Sequence, residues 1–405
     1  MHIGHFLLAL VAIFVAAKLF GEIAERLGQP AVLGEILGGI LIGVSGLRLV
    51  DPKDVTIHLL SELGVILLLF LIGLETDLSK LLAVGGPAAA VAVVGVTLPF
   101  AGGYLFGNWL GLETMVSVFL GAALTATSVG ITARVLSDLG HLQDRESQVV
   151  LGAAVVDDII GIILLSLLGS LSGGAELSVT GVSKIVLIAF GFVIVAILVG
   201  SKLAPALIRA IERINMAKGL FFAAVIFAFL LAYLADVVGS AVIIGAFAAG
   251  LVLARTEKAK EIEHQVHDVA TFFIPIFFVV TGAAIDIRTL NPFNPDTRQF
   301  LLIGLALTAI GVVGKIAAGY AAWGPGLKRL IIGVGMVPRG EVGLIFAQIG
   351  LASGLLTSGL FSAVTVMVIL TTIVTLPMLR LLLDKKTPDV HPEYSDYVMD
   401  APDDD

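Results

Sequence analysis

No cysteine occurs in the 405 residues, which excludes disulfide frameworks, cysteine zinc sites and thiol catalysis. Charge is also scarce: 14 % of residues are charged against 58 % hydrophobic, and the mean hydropathy is +1.05. A soluble protein of this length needs more polar residues to cover its surface. Lipid as the solvent for the apolar surplus is the direct explanation, and a soluble enzyme is excluded. A basic patch is missing too. The net charge is −8, but seven acids (Asp389, Glu393, Asp396, Asp400, Asp403, Asp404, Asp405) fall in the last seventeen residues, leaving the remainder near neutral. Nothing there suits nucleic acid. The tail 385–405 reads as a disordered, solvated end. The start, MHIGHFLLALVAIFVAAKLF, lacks a basic n-region and a cleavage site, and is expected to be a retained first helix. No cofactor is called for.

What the chain does have is long apolar runs. Runs near 4–20, 30–46, 55–74, 87–106, 114–136, 147–171, 183–203, 219–238, 240–254, 269–286, 300–323, 329–351 and 358–383 predict about thirteen transmembrane helices. The second and ninth are short. With thirteen spans, seventeen basic residues collect on one side of the membrane and five on the other. By the positive-inside rule this places the N-terminus outside and the C-terminus in the cytoplasm. Lys315 and Arg339 stay out of that tally because they lie within spans.

Self-comparison at an offset near 210 reveals an internal repeat. AVLGEILGGILIG from Ala31 resembles AVIIGAFAAGLVLA from Ala241. LIGLETDLSKL from Leu71 resembles VTGAAIDIRTL from Val280, pairing Gly73 with Gly282 and Asp77 with Asp286. LGAALTATSVG from Leu120 falls opposite IGVGMVPRGEVG from Ile332. The paired spans (2 with 9, 3 with 10, 5 with 12) stand an odd number of crossings apart, so the repeat is inverted. Inverted repeats are typical of secondary transporters, which bind substrate near the midplane.

Charge at mid-membrane costs on the order of 2.5–3.5 kcal/mol per group on insertion scales, so each such residue is a candidate site. Asp157 and Asp158 are adjacent in the sixth span. Helical neighbours point about 100° apart, so one can face a fixed cation while the other faces an aqueous cavity. Lys315 in the eleventh span is the expected fixed cation. Two carboxylates and one ammonium leave one negative charge, suited to a bare monovalent cation or to a proton. Burial disfavours the bare carboxylate, so the two compete for the same place. Spans 5 and 12 carry helix-breaking centres at matched positions, TATSVG (Thr125 to Gly130) and MVPRGEVG (Met336 to Gly343). Their free carbonyls, with the hydroxyls of Thr127 and Ser128, could complete an oxygen shell. Arg339 is expected to pair with Glu341 or with Glu75, as charge compensation near the crossing. Glu35 reads as a helix-packing carboxylate before a ligand. The seven histidines are expected in loops or at helix ends, with His264 and His267 in a cytoplasmic loop.

GQPAVLGEILGGILIG, ALTATSVGITARVLSDLG, LGAAVVDDIIG, VGKIAAG and VGMVPRGEVGLI, in this order, resemble the NapA-type bacterial Na+/H+ antiporters of the monovalent cation:proton antiporter superfamily, from about Gly28 to Leu382. The resemblance implies that Asp158 binds Na+ or a proton, that Asp157 pairs with Lys315, and that Thr127 and Ser128 lie in the unwound part of a crossing helix with Glu341 in its partner. It further implies a homodimer in the bacterial inner membrane, embedded in lipid and working by an elevator-like movement. The moving core would be about 87–171 and 300–383, the dimer scaffold about 4–74 and 219–286, and 183–203 a linker helix, within an antiporter domain spanning 1–384. The double-Asp form implies electrogenic exchange, two protons in per cation out.

The sequence thus predicts an all-α membrane protein with inverted-topology repeats and two crossing discontinuous helices, exchanging Na+ or Li+ for H+. A K+/H+ antiporter with the same machinery is the first alternative. A cation-coupled symporter for an organic solute is the second, although the midplane offers mainly small residues. A channel is disfavoured because no filter-like carbonyl motif appears.

Overall fold

A computed structural model describes residues 3–27, 29–172, 187–188, 191–192, 194–200, 202–203, 218–285 and 295–383. Among these residues all regular structure is helical. The first half contains α1 (Ile3–Arg26), α2 (Ala31–Ile42), α3 (Val55–Glu75), the short α4 (Leu78–Ala83), α5 (Gly85–Trp109), α6 (Thr114–Ala123), α7 (Val129–Asp138) and α8 (Arg145–Ser172). The second contains α9 (Gly219–Val237), α10 (Val242–Leu253), α11 (Ala259–Ala283), α12 (Pro295–Gly319), α13 (Arg329–Gly335), α14 (Glu341–Ala352) and α15 (Ser358–Leu382). Seven of them, α1, α3, α5, α9, α11, α12 and α15, are long and apolar enough to cross a membrane. The protein is a multi-pass membrane protein. The expected runs fall on these helices, the fifth as α6 with α7 and the twelfth as α13 with α14. The seventh, 183–203, lies mostly outside the described residues, as do Asp286 and the tail from 384 on.

Local chemistry sets the helix limits. α2 begins after Pro30, which holds an extended backbone (φ −60°, ψ 140°). Asp54 and Asp77 cap α3 and α4 by accepting from the N–H groups of Thr56 and Ile57, and of Ser79 and Lys80. The Thr357 hydroxyl accepts from the N–H of Leu360 at the start of α15. One boundary corrects the sequence reading. α11 starts at Ala259, ten residues before the apolar run, so His264 and His267 sit on exposed helical turns and not in a loop.

The helices pack in two groups. α1–α3 pack with α9–α11, and α5, α6 and α8 pack with α12–α15. Within the first group, glycines let backbones touch. A Cβ on Gly73 of α3 would stand 2.4 Å from the Phe247 carbonyl of α10, and one on Gly250 of α10 would stand 2.2 Å from the Phe70 carbonyl of α3. The second contact is the same: a Cβ on Gly282 of α11 would stand 2.1 Å from the Ile36 carbonyl of α2, and one on Gly39 of α2 would stand 2.1 Å from the Val279 carbonyl of α11. Gly73 and Gly282 occupy matched repeat positions, as do Gly39 and Gly250. Each repeat therefore packs its helices crosswise onto the other's, as a pseudo-two-fold axis requires. Gly34 and Gly245, where a Cβ would stand 2.0 Å from the Phe20 carbonyl and 2.3 Å from the Leu231 carbonyl, extend the correspondence to α1 and α9. Small residues at such crossings supply the close packing that helices in lipid rely on.

Candidate functional site

The second group is built around two interrupted helices. α6 stops at Ala123 and α7 starts at Val129; α13 stops at Gly335 and α14 starts at Glu341. Irregular backbone at membrane depth is tolerated only when buried in protein, and all of 124–128 and 336–340 is buried. The two breaks cross and satisfy each other. The Ser128 N–H donates to the Pro338 carbonyl (2.9 Å), Thr127 Oγ1 donates to Met336 O (3.3 Å), and Thr132 Oγ1 donates to Gly335 O (2.7 Å). A Cβ on Gly340 would lie 2.8 Å from Ser128 Oγ, so glycine is what lets the two broken segments approach.

Arg339 closes the end of α13. Its Nη1 donates to Met336 O (3.2 Å) and Val337 O (3.1 Å), while Thr372 of α15 donates to the Arg339 carbonyl (2.7 Å). A cation is favoured at a helix C-terminus, where the carbonyl dipoles point. Arg339 Nε and Nη2 are buried without hydrogen-bond partners, so the expected ion pair with Glu75 does not form. Glu75 instead accepts from Ser137 (3.1 Å) at the far end of α3. The Glu341 side chain lies outside the described residues.

α8 brings the two acids to this crossing. Lys315 Nζ of α12 lies 3.2 Å from Asp157 Oδ2, with both side chains 0 % exposed. The lysine lies against Gly95 of α5, where a Cβ would stand 3.4 Å from Nζ. Asp157 Oδ1 is buried without a hydrogen bond, and Arg339 acts electrostatically on both Asp157 and Lys315. Asp158, one residue on, turns to a different wall. It lines a narrow cleft with Leu69 of α3, Val129 of α7 and Ile243, Ile244 and Phe247 of α10. The cleft has room for about one water molecule. Val129 is the first residue of α7, whose N-terminus has no side-chain cap, so the positive end of that half-helix lies beside Asp158.

Asp157, Asp158, Lys315, Thr127, Ser128 and Arg339 are thus gathered at one crossing, and Glu75 is not among them. Asp157, Asp158 and Lys315, all ionised, sum to one negative charge, and Arg339 brings one further positive charge to the crossing. The sequence reading passed over Thr132, which ties α7 to the end of α13, and Thr372, which ties the second break to α15; a hydroxyl facing another helix's free carbonyl carries no signal in spacing.

Inverted repeats that cross at two broken helices, with a buried acid–lysine pair between them, define the class of inverted-repeat secondary transporters. The sodium/hydrogen exchanger transmembrane family model matches residues 8–385. The chain belongs to the sodium/hydrogen exchanger family. It is 42 % identical to the high-affinity Na(+)/H(+) antiporter NhaS3 of Synechocystis, over 96 % of this chain and 92 % of the relative. It is also 42 % identical to the Na(+)/H(+)-K(+) antiporter GerN of Bacillus cereus, over 93 % and 95 %. The solved structure of the sodium proton antiporter MjNhaP1 of Methanocaldococcus jannaschii shares the fold, with a TM-score of 0.67 at 18 % identity, covering 94 % of this chain and 99 % of that one.

Proposed function

We propose that the protein is an electrogenic antiporter that exchanges cytoplasmic Na+ or Li+ for external H+, the two competing for Asp158. The observation that carries this reading is the fully buried Lys315–Asp157 pair at 3.2 Å with Asp158 adjacent to it. Asp157 is held by a fixed cation, and Asp158, which lines the cleft between α3, α7 and α10, is the exchangeable carboxylate. Thr127 and Ser128 supply hydroxyl and carbonyl oxygens from the crossing. A hard monovalent cation suits such oxygens, and alternation between cation and proton at one acid gives obligatory exchange. The antiporter names of the relatives support the same substrates.

In the proposed arrangement the chain has thirteen spans, an outside N-terminus and a cytoplasmic C-terminus, and resides as a homodimer in a bacterial inner membrane, in the NapA-type manner. α5–α8 and α12–α15 move as a core against α1–α3 and α9–α11. With two protons per cation, one net charge crosses per cycle, and each 100 mV contributes about 2.3 kcal/mol. K+ is the second reading, favoured by the name of the Bacillus cereus relative.

Proteoliposomes under controlled potential test this. Added Na+ or Li+ is expected to drive proton efflux that depends on voltage and is abolished in Asp158→Asn. Na+-driven exchange that survives Asp158→Asn removes the site, voltage-insensitive exchange removes the electrogenic claim, and activity with K+ alone selects the second reading.

A further inference from the structure

The turn that joins α12 to α13 gathers aromatic and basic side chains at one end of the bundle. α12 is long and apolar enough to cross a membrane and stops at Gly319, α13 starts at Arg329, and α5 starts beside them at Gly85. Residues 320–328 therefore lie at a membrane boundary. Tyr320 and Trp323 are 58 % and 55 % exposed, and Leu330 follows at 39 %. Arg145, the first residue of α8, is exposed here too, as are Lys328 and Arg329. Tyr and Trp rings settle where hydrocarbon meets headgroups, and cations settle among the anionic phosphates just beyond.

The turn is firmly built. Arg145 Nη1 donates to the Pro325 carbonyl (3.3 Å), Arg329 Nε to the Ala322 carbonyl (3.1 Å), and the Lys328 N–H to Glu146 Oε1 (2.9 Å). A Cβ on Gly324 would stand 3.0 Å from Arg145 Nη2, and one on Gly86 of α5 would stand 3.0 Å from Trp323 Cζ2. Ala322 and Leu327 pack the turn onto the apolar cluster shared by α5, α8 and α13. Each guanidinium spends one N–H on a carbonyl, which fixes its plane and leaves its other donors over. Among the described residues, neither guanidinium nor the Lys328 ammonium meets a carboxylate. Glu146 is occupied by the Lys328 N–H, and the next acid, Asp144, lies 2.6 Å from His141. Three cations against Glu146 leave two positive charges in surplus. Arg26 and Lys258, by contrast, are paired with Glu22 and Glu261 on their own helical turns.

We infer that this turn binds the phosphate of an anionic phospholipid, with Arg145, Lys328 and Arg329 on the headgroup and Tyr320 and Trp323 against its glycerol and upper acyl region. The planar fork of arginine matches the two free oxygens of a phosphodiester. A soluble phosphate would leave the exposed rings without a partner, so the aromatic half of the patch selects a lipid. All its anchors belong to the crossed-helix group, and a lipid held there stays with that group. In the orientation proposed above it comes from the cytoplasmic leaflet; the binding claim itself stands apart from that orientation and from the transport reading.

The chain has two tryptophans, and the other, Trp109, is the last residue of α5, at the opposite end from Gly86. Trp109→Phe therefore leaves Trp323 as the sole reporter. The full chain is reconstituted into phosphatidylcholine vesicles with rising fractions of brominated phosphatidylglycerol or brominated phosphatidylcholine, whose bromines quench a ring only on contact. Each basic residue is worth about fivefold in affinity for an anionic lipid, so phosphatidylglycerol is expected to be preferred at Trp323 by on the order of a hundredfold. Arg145→Gln/Lys328→Gln/Arg329→Gln is expected to abolish the preference. Lys328→Gln alone, which changes an exposed ammonium, is expected to lower it about fivefold and carries the test if the triple variant does not reconstitute. Trp109, read in Trp323→Phe protein, is expected to show no preference. Equal quenching of Trp323 by the two lipids, a preference untouched by these glutamine substitutions, or the same preference at Trp109 overturns the site. Loss of the preference in millimolar inorganic phosphate, but not in chloride of equal ionic strength, assigns the patch to a free anion and overturns the lipid.

Discussion

Replacing Lys315 by Met keeps most of the side chain's volume and removes its charge from a place with no access to water. The ammonium lies 3.2 Å from Asp157 Oδ2, and Oδ1 already lacks a hydrogen bond, so the substitution leaves both oxygens without a donor. At an effective dielectric of 20, charges at this distance attract by about 5 kcal/mol. Removing one partner of a buried pair typically costs about 3–5 kcal/mol, and Arg339, which also acts on Asp157, keeps the loss toward the lower end. Lys315→Met is therefore expected to lower the unfolding midpoint strongly. Asp157→Leu/Lys315→Met, which removes both charges, is expected to regain most or all of the loss. Thermal unfolding of the three proteins is the assay. A single variant as stable as the parent, or a double variant no better than the single, refutes the claim that the pair is a desolvated, mutually dependent one.

Three further outcomes are expected. Gly250→Val places a side chain 2.2 Å from the Phe70 carbonyl and 2.7 Å from the Gly73 Cα; because backbone cannot yield as a side-chain tip can, folded yield by size-exclusion chromatography is expected to collapse, and Gly39→Val to behave alike. Thr132→Val removes the donor to the Gly335 carbonyl and is expected to destabilise by about 1–3 kcal/mol, measured by thermal unfolding, with a matching fall in exchange rate. If proton and Na+ compete at Asp158, low pH occupies the acid with H+ and weakens apparent Na+ affinity; the Na+ needed for half-maximal exchange is expected to rise roughly tenfold per pH unit once the acid is mostly protonated, and a flat profile contradicts competition.

Much of this architecture could be read before any coordinates, because lipid makes the relevant signals coarse. Apolar length marks the spans, and the matched TATSVG and MVPRGEVG segments marked both helix breaks. The adjacent acids and Lys315 were conspicuous because charge at that depth is rare, and they meet as expected. The misses share a cause: they depend on what a side chain faces. α11 begins ten residues early because AKEIEHQVHD is polar and invisible to an apolar window, though it is good helix sequence. Glu75, one of the two partners expected for Arg339, does not pair with it; Arg339 Nη1 serves carbonyls freed by the end of α13, and a backbone acceptor has no letter in the sequence. That Glu35 faces a cavity with its Oε2 buried and without a hydrogen-bond partner is likewise not legible in spacing. The repeat offset was visible; that each half packs crosswise onto the other was not.

The glycine contacts carry a mechanical consequence. Where α3 meets α10 and α2 meets α11, main chain bears on main chain with no side-chain layer between them. Sliding by even a fraction of a helical turn would drive a carbonyl into the neighbouring backbone, so those four helices behave as one plate. Compliance has to come from elsewhere, and the border between the plate and the crossed-helix bundle is where unfilled space occurs. Displacement along that border would carry Asp158 past a fixed wall of Leu69, Ile244 and Phe247, much as a bolt travels in its keeper.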